Sequence, residues 1–421
     1  MTKNKILAGI EIGSSKITTL IAQVQKDEVS FEESLNIVGV SSVESKGIKK
    51  GQIVDIEEAV SATISSVEAA ERMAGYNVES AYISIGGANV HSQNSHGVVA
   101  VSDPSGEINE NDVDRAIEAA SAISIPASRE IIHVLPREFV VDGEGGVRDP
   151  IGMSGVRLEV DAHIISAGTA AIKNIKKAVS QVGVKIEDLV FTGLASSYAV
   201  LTPTEKELGC VLIDIGGGTT SITAYIDGSL SYSGVIPIGA KNVTNDLAIG
   251  LRVSLDTAEK IKIALSKKPK KDETDEIDLG ALGVTEIRKI SKKTLVEGII
   301  RPRLNEIFTM VRLELEKENL ANRIPSGAII TGGGADTVGI VDCAKRMMAL
   351  PVRIGVPSGL GGLIDDILNP SFATPIGLLM YATGSQKEET ANNFSGKFKM
   401  PNFSNGNIFG KIINSIKDLL P

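Results

Sequence analysis

One pattern occurs twice in the chain: G-I-E-I-G-S-S-K-I-T-T-L-I-A at 9–22 and L-I-D-I-G-G-G-T-T-S-I-T-A-Y-I at 212–226. Each copy sets a single carboxylate, Glu11 or Asp214, at the end of a β-branched run. Glycine and two small residues follow, and a strand rich in Ile and Thr resumes. This is the pattern of a β-hairpin whose tight turn glycine permits. A spacing of about 200 residues is too long for a stacked repeat, so the two copies predict two related lobes. A chain of 421 residues is long enough for both.

Such turns present rows of bare backbone N–H groups, here from Gly13, Ser14, Ser15 and Lys16 and again from Gly216, Gly217, Gly218 and Thr219. Rows of this kind bind phosphate oxygens, and small residues let the phosphate approach the backbone. Lys16 adds a point charge. A carboxylate at the strand end repels phosphate, but it can hold a hydrated Mg²⁺, an ion that binds through one or two carboxylates and takes the rest of its shell from water and phosphate. A single hairpin of this type is more often an ordinary turn with a solvated acid. Two copies weaken that reading, as does Asp214 within V-L-I-D-I, where a buried carboxylate needs a partner.

Two further stretches complete a candidate cleft. G-A-I-I-T-G-G-G-A at 327–335 predicts a buried strand, a turn at Gly332, Gly333 and Gly334, and then a helix over 336–349. In S-L-D-T-A-E-K-I-K-I-A-L at 254–265, Ser254 is a candidate N-cap, and Glu259 and Lys262 share a helix face. These two are either a surface ion pair or a grip on a ribose or base. Neither GxGxxG nor GxxxxGK[ST] is met, which excludes a P-loop.

Composition removes other classes. A net charge of −9 argues against a general nucleic-acid binder. The two cysteines, Cys210 and Cys343, lie in apolar surroundings and predict small buried hydrophobes in a reducing compartment. His91, His96, His133 and His163 show no metal-ligand spacing with them. The N-terminus runs into a strand without an apolar signal region, and no run of about 18 apolar residues occurs.

The acidic hairpin, the D-I-G-G-G-T hairpin, the A-E-K-I-K helix and T-G-G-G-A resemble, in that order, the nucleotide site of the actin, DnaK-type chaperone and sugar-kinase superfamily. Adding F-T-G-L-A-S-S-Y-A-V-L at 191–201 and A-T-P-I-G-L-L at 373–379, the chain resembles the FtsA family of bacterial cell-division proteins over nearly its whole length. The resemblance implies an α/β, actin-like two-lobe fold with a nucleotide cleft and an inserted α+β subdomain in the first lobe, with ATP and Mg²⁺ as ligands. The expected divisions are 1–83 plus 163–195 for the first-lobe core and 84–162 for the insertion. The second-lobe core takes 196–239 plus 301–383, and its small subdomain 240–300. The charged run K-K-P-K-K-D-E-T-D-E at 267–276 is expected to be a solvated loop.

Hydrolysing relatives carry a carboxylate in the helix that joins the lobes. Residues 191–200 contain none, which predicts at most a slow ATPase, a switch or filament subunit rather than an efficient enzyme. The resemblance also implies that the second lobe's small subdomain holds the C-terminal peptide of the tubulin-like division protein FtsZ, with Arg301, Arg303 and Asn305 in the matching region. It further implies self-association into filaments and contacts with other division proteins.

Beyond Gly384 the sequence turns polar, predicting a flexible linker over 384–405. In 406–421, Ile408, Phe409, Ile412, Ile413, Ile416, Leu419 and Leu420 recur at helical spacing opposite polar residues. Periodicity alone allows a helix docked on the chain's own body. The preceding linker favours a membrane surface, and the resemblance implies a membrane-targeting helix, hence a peripheral protein on the cytoplasmic face of the membrane at the division site. Two other readings are a PilM-like peptide-binding adaptor and a small-molecule kinase. The first needs no such helix, and the second needs a catalytic base that the sequence does not offer.

Overall fold

The computed structural model describes residues 5–26, 33–267, 275–280, 289–363 and 367–392. The chain divides into two compact units, Met1–Ala382 and Thr383–Pro421; the second is described only to Asn392, the end of helix Ala373–Asn392.

Within the first unit the duplication read from the hairpins extends to the sheets. The first-lobe sheet runs, in spatial order, Glu33–Glu44, Lys16–Lys26, Lys5–Ile12, Ser80–Ile85 and Lys185–Phe191, with the short strand Leu360–Gly362 added at the edge. The second-lobe sheet runs Ser229–Ile236, Thr220–Ile226, Cys210–Ile215, Ala328–Thr331 and Val352–Ile354. In each, three antiparallel strands are followed by two parallel ones. Glu11 pairs with Thr18 and Asp214 with Ser221, so both carboxylates stand in matching registers just before their turns.

Strand periodicity aims these acids. All six residues of Cys210–Ile215 are buried. Val211, Ile213 and Ile215 enter the second-lobe core, whereas Cys210 and Leu212 enter the core shared with the first lobe. Side chains alternate across a strand, so Asp214 falls on the face of Cys210 and Leu212. In the first lobe Glu11 shares a face with Gly9, whose missing Cβ leaves room for Leu378 and the Pro375 carbonyl. Helices Thr192–Val200 and Ala373–Asn392 meet on these faces, and a Cβ on Gly377 would fall 1.8 Å from the Ala195 carbonyl oxygen. The contact is backbone to backbone.

The insertion is a four-stranded antiparallel sheet, ordered His91–Ala100, Arg157–Gly168, Arg129–Val141 and Glu144–Val147, with helix Glu110–Ser121 against it. Its limits lie a few residues later than the expected 84–162. Ser80–Ile85 belongs to the first-lobe sheet, and Arg157–Gly168 pairs with its neighbours through to Gly168. The insertion thus follows Gly86–Gly87, in the place where the second lobe has its Gly332–Gly334 turn. It reaches the second lobe through Ser92, whose hydroxyl donates to the Ser233 carbonyl at 2.7 Å, and Asn94, which donates to Ser231.

The boundary expected at 300/301 falls within a continuous helical stretch. Lys292–Leu295, a π-helical turn over Val296–Ile300 and Arg301–Lys317 follow one another without a break. The π turn lies just before Pro302, a residue that cannot donate to the helix ladder. Residues 384–392, assigned to the linker, are helical. Gln, Lys and Glu in that stretch are good helix formers, and polarity alone does not end a helix. The remaining linker residues, the targeting segment 406–421 and residues 268–274 of the charged run lie outside the described residues.

Candidate functional site: a nucleotide cleft between the lobes

A cavity of about 730 Å³ opens between the two hairpins. Glu11, Gly13–Lys16, Asp214, Gly216, Gly217, Thr219, Glu259, Lys262 and Gly332–Gly334 all line it. The hairpins face each other at contact distance. A Cβ on Gly217 would lie 2.9 Å from the Ser15 side chain, and one on Gly218 would lie 2.9 Å from Ser14 Oγ. Both turns are closed alike, Gly13 N–H donating to Lys16 O at 3.1 Å and Gly216 N–H to Thr219 O at 2.9 Å.

The carboxylates sit differently in this common frame. Asp214 is buried, and its Oδ2 accepts from Ser196 Oγ at 2.5 Å and from Thr374 Oγ1 at 3.1 Å. Burial nonetheless raises its pKa, with the two hydroxyls pulling the other way. Glu11 Oε2 is shut off from solvent with no hydrogen-bond partner among the described residues. Burial pushes the Glu11 pKa up to about 7, against the pull of Lys16 and with a smaller push from Asp214. Lys16 stands 3.9 Å over the Phe372 ring and donates to Ser371 Oγ, and burial lowers its pKa.

Gly332 closes the floor. Its φ of +82° suits glycine, and a Cβ there would fall 2.2 Å from Asp214 Oδ1. The helix foreseen after it is a 3-10 turn, Gly333–Asp336, and then helix Ile340–Met348. On the opposite wall Ser254 caps helix Leu255–Ser266, accepting from Thr257 N–H. Lys262, only 8% exposed, bonds Glu259 at 2.8 Å and Thr244 Oγ1 at 3.0 Å. The lysine of the pair is thus built into the cleft wall, while the Glu259 side chain is 43% exposed.

These residues fit a magnesium nucleotide. The glycine turns leave cradles that a Cβ would fill, and an orphaned buried carboxylate oxygen needs a cation or a proton. No cluster of three or more His, Cys, Asp or Glu able to hold a metal occurs among the described residues. Two carboxylates suffice for an ion whose shell is otherwise water and phosphate.

Several lining residues were not picked out in the sequence. Ser84 and Gly86 occupy the positions in the first lobe that Thr331 and Gly333 occupy in the second. Aligning I-S-I-G-G-A at 83–88 with I-T-G-G-G-A at 330–335 would have found them. Ser196, Thr374 and Lys241 carried no local signal.

The expected partner residues lie together on helix Arg301–Lys317, yet Arg303 is not a free charge. It grips Asp246 through Nε at 2.6 Å and Nη2 at 3.0 Å and also pairs with Glu306. The reason is a carboxylate 57 residues away in sequence that helix packing brings alongside. Arg301 pairs with Glu297 at 3.0 Å, and Asn305 accepts from Arg346 at 2.9 Å. Both cysteines are free and buried. No helix among the described residues is long and apolar enough to cross a membrane.

Comparison with known proteins agrees with this geometry. The profile of the "SHS2 domain inserted in FTSA" matches residues 87–166, the four-stranded insertion, and that of "Cell division protein FtsA" matches residues 211–377. Cell division protein FtsA of Pseudomonas aeruginosa is 40% identical over 396 residues, 93% of either chain. Among solved structures, the PilM–PilN type IV pilus biogenesis complex superposes with a TM-score of 0.63 at 16% identity, over 89% of this chain and 98% of that one. MreB 5 of Spiroplasma citri bound to AMPPNP gives 0.53 at 15%, over 93% and 99%. The two lobes are therefore actin-like, the insertion is an SHS2 domain, and the chain belongs to the FtsA family of cell-division proteins.

Proposed function

We propose that the chain binds Mg²⁺–ATP in the interlobe cleft and, so loaded, tethers FtsZ filaments to the inner face of the cytoplasmic membrane at the division site while associating with further copies of itself. The observation that carries the nucleotide reading is the pair of facing hairpins with the orphaned Glu11 Oε2 beside the satisfied Asp214. The ion, when bound, would neutralise phosphate charge and orient the chain of oxygens. This chain's residues would do the holding: the Gly13–Lys16 and Gly216–Thr219 amides on phosphate, Glu11 and Asp214 on the ion's water shell, and Glu259 and Lys262 towards the ribose.

Turnover is expected to be slow. Helix Thr192–Val200 carries no carboxylate, and its polar residue nearest the acids, Ser196, is spent on Asp214. Besides the two acids assigned to the ion, Glu44, Asp256 and Glu259 line the cleft, and a metabolite kinase would need one of them as its base. Family membership supports the tethering role over a PilM-like adaptor. For the FtsZ peptide, Arg301, Arg303 and Asn305 share helix Arg301–Lys317, and each already has a polar partner, Glu297, Asp246 and Arg346 in turn. For the membrane, the apolar stripe of Ile408, Phe409, Ile412, Ile413, Ile416, Leu419 and Leu420 is the support.

Co-sedimentation with liposomes, FtsZ and Mg²⁺–ATP tests the reading. FtsZ should pellet with the liposomes only when the full chain is present, and the double variant Ile412→Glu/Ile416→Glu should leave both proteins in the supernatant while melting like the parent. FtsZ pelleting equally well with that variant would refute the tether.

A further inference from the structure

Among the described residues three lysines line the cleft, and they are not equally committed. Lys16 is enclosed by Glu11, the Phe372 ring and Ser371. Lys262 is buried among Glu259, Thr244 and the Ala240 carbonyl. Lys241 is exposed, and its ammonium donates across the cleft to the Ser14 carbonyl at 2.8 Å. Its backbone belongs to the other side: the N–H groups of Ala240 and Lys241 donate to the Gly216 and Gly217 carbonyls at 2.9 and 2.8 Å. Lys241 is thus fixed to the second hairpin by its main chain and to the first by its side chain.

We propose that Lys241 is a triphosphate-sensing contact: it latches the first hairpin through Ser14, and the terminal phosphate of a nucleoside triphosphate takes over its ammonium, giving the cleft a preference for triphosphate over diphosphate. The proposal rests on the nucleotide reading above. The placement follows from the cleft's polarity. The hairpin tips, where the amide rows lie, are the phosphate end, and the helix with Glu259 and Lys262 forms the far wall. Lys241 stands at the tips. A charge-assisted bond to phosphate is shorter and stronger than a neutral carbonyl contact, and moving an exposed lysine from one bond costs less than extracting Lys16 or Lys262 from their partners. A diphosphate that stops short of the tips leaves the Ser14 latch in place.

The test is equilibrium binding of fluorescent ATP and ADP analogues to the full chain at fixed Mg²⁺, comparing the parent with Lys241→Met and Lys241→Arg. Lys241→Met should weaken ATP about tenfold and leave ADP within about twofold, and Lys241→Arg should restore most of the preference. Equal weakening of both nucleotides, or no change in either, would overturn the proposal while leaving the nucleotide reading standing. A parent chain that binds neither nucleotide would overturn both. Lys241 is exposed, so a misfolded Lys241→Met is not expected; if it melts early, Lys241→Gln must show the same selective loss, and failure to do so counts against the proposal.

Discussion

The two hairpins share a fold, a register and a turn closure, and they differ in how their acid is held. Asp214 has two hydroxyl donors from the interlobe helices, Ser196 and Thr374, so the second hairpin is complete without a ligand. Glu11, one methylene longer, leaves an oxygen with no donor and a pKa near 7. Among the described residues, the acid of the first hairpin lacks the hydroxyl donors that the acid of the second has.

The sharpest way to break the comparison is at the floor the acids share. Gly332→Ala would place a methyl 2.2 Å from Asp214 Oδ1 at a φ of +82°, and should destabilise the chain by about 3 kcal/mol or more in thermal or urea melts. A melt unchanged from the parent would mean that the floor can shift.

Next in size is a pH-dependent effect on the first hairpin. The folded pKa of Glu11, about 7, lies above its ordinary 4.5. The burden of ionising it in the folded state is therefore absent below about pH 4.5, grows between those values, and is full above 7. Glu11→Gln should stabilise the nucleotide-free chain by about 2 kcal/mol at pH 8 and by almost nothing at pH 4.5, read from melts at both pH values. Stabilisation of the same size at both would assign the effect to packing instead.

The smallest effect belongs to the satisfied hairpin. Ser196→Ala removes the 2.5 Å donor to Asp214 but leaves Thr374, and should cost about 1–2 kcal/mol of stability. A melt unchanged from the parent would show that Thr374 alone satisfies the Asp214 carboxylate.

Much of this cleft was legible because its signals are local. Acid, glycine and β-branched residues stand within a few positions of each other in both hairpins, and T-G-G-G follows its strand directly. The two-lobe fold came from the same repeat. What escaped was long-range. Thr374 reaches Asp214 across 160 residues, and Lys241 reaches Ser14 across 227. The Asp246 partner of Arg303 escaped for the same reason, lying 57 residues away in sequence. The helix continuing through residues 384–392 escaped for another reason: polar composition was taken for a linker, though Gln, Lys and Glu favour helix.

The central claim is that Glu11 and Asp214 together hold a magnesium nucleotide, and calorimetric titration of ATP in Mg²⁺ and in EDTA, with the parent and Glu11→Gln, tests it most directly. The parent should bind ATP far more tightly in Mg²⁺ than in EDTA, and Glu11→Gln should lose most of that difference although its fold is the more stable at pH 8. Equal dependence on Mg²⁺ in both proteins would contradict the account.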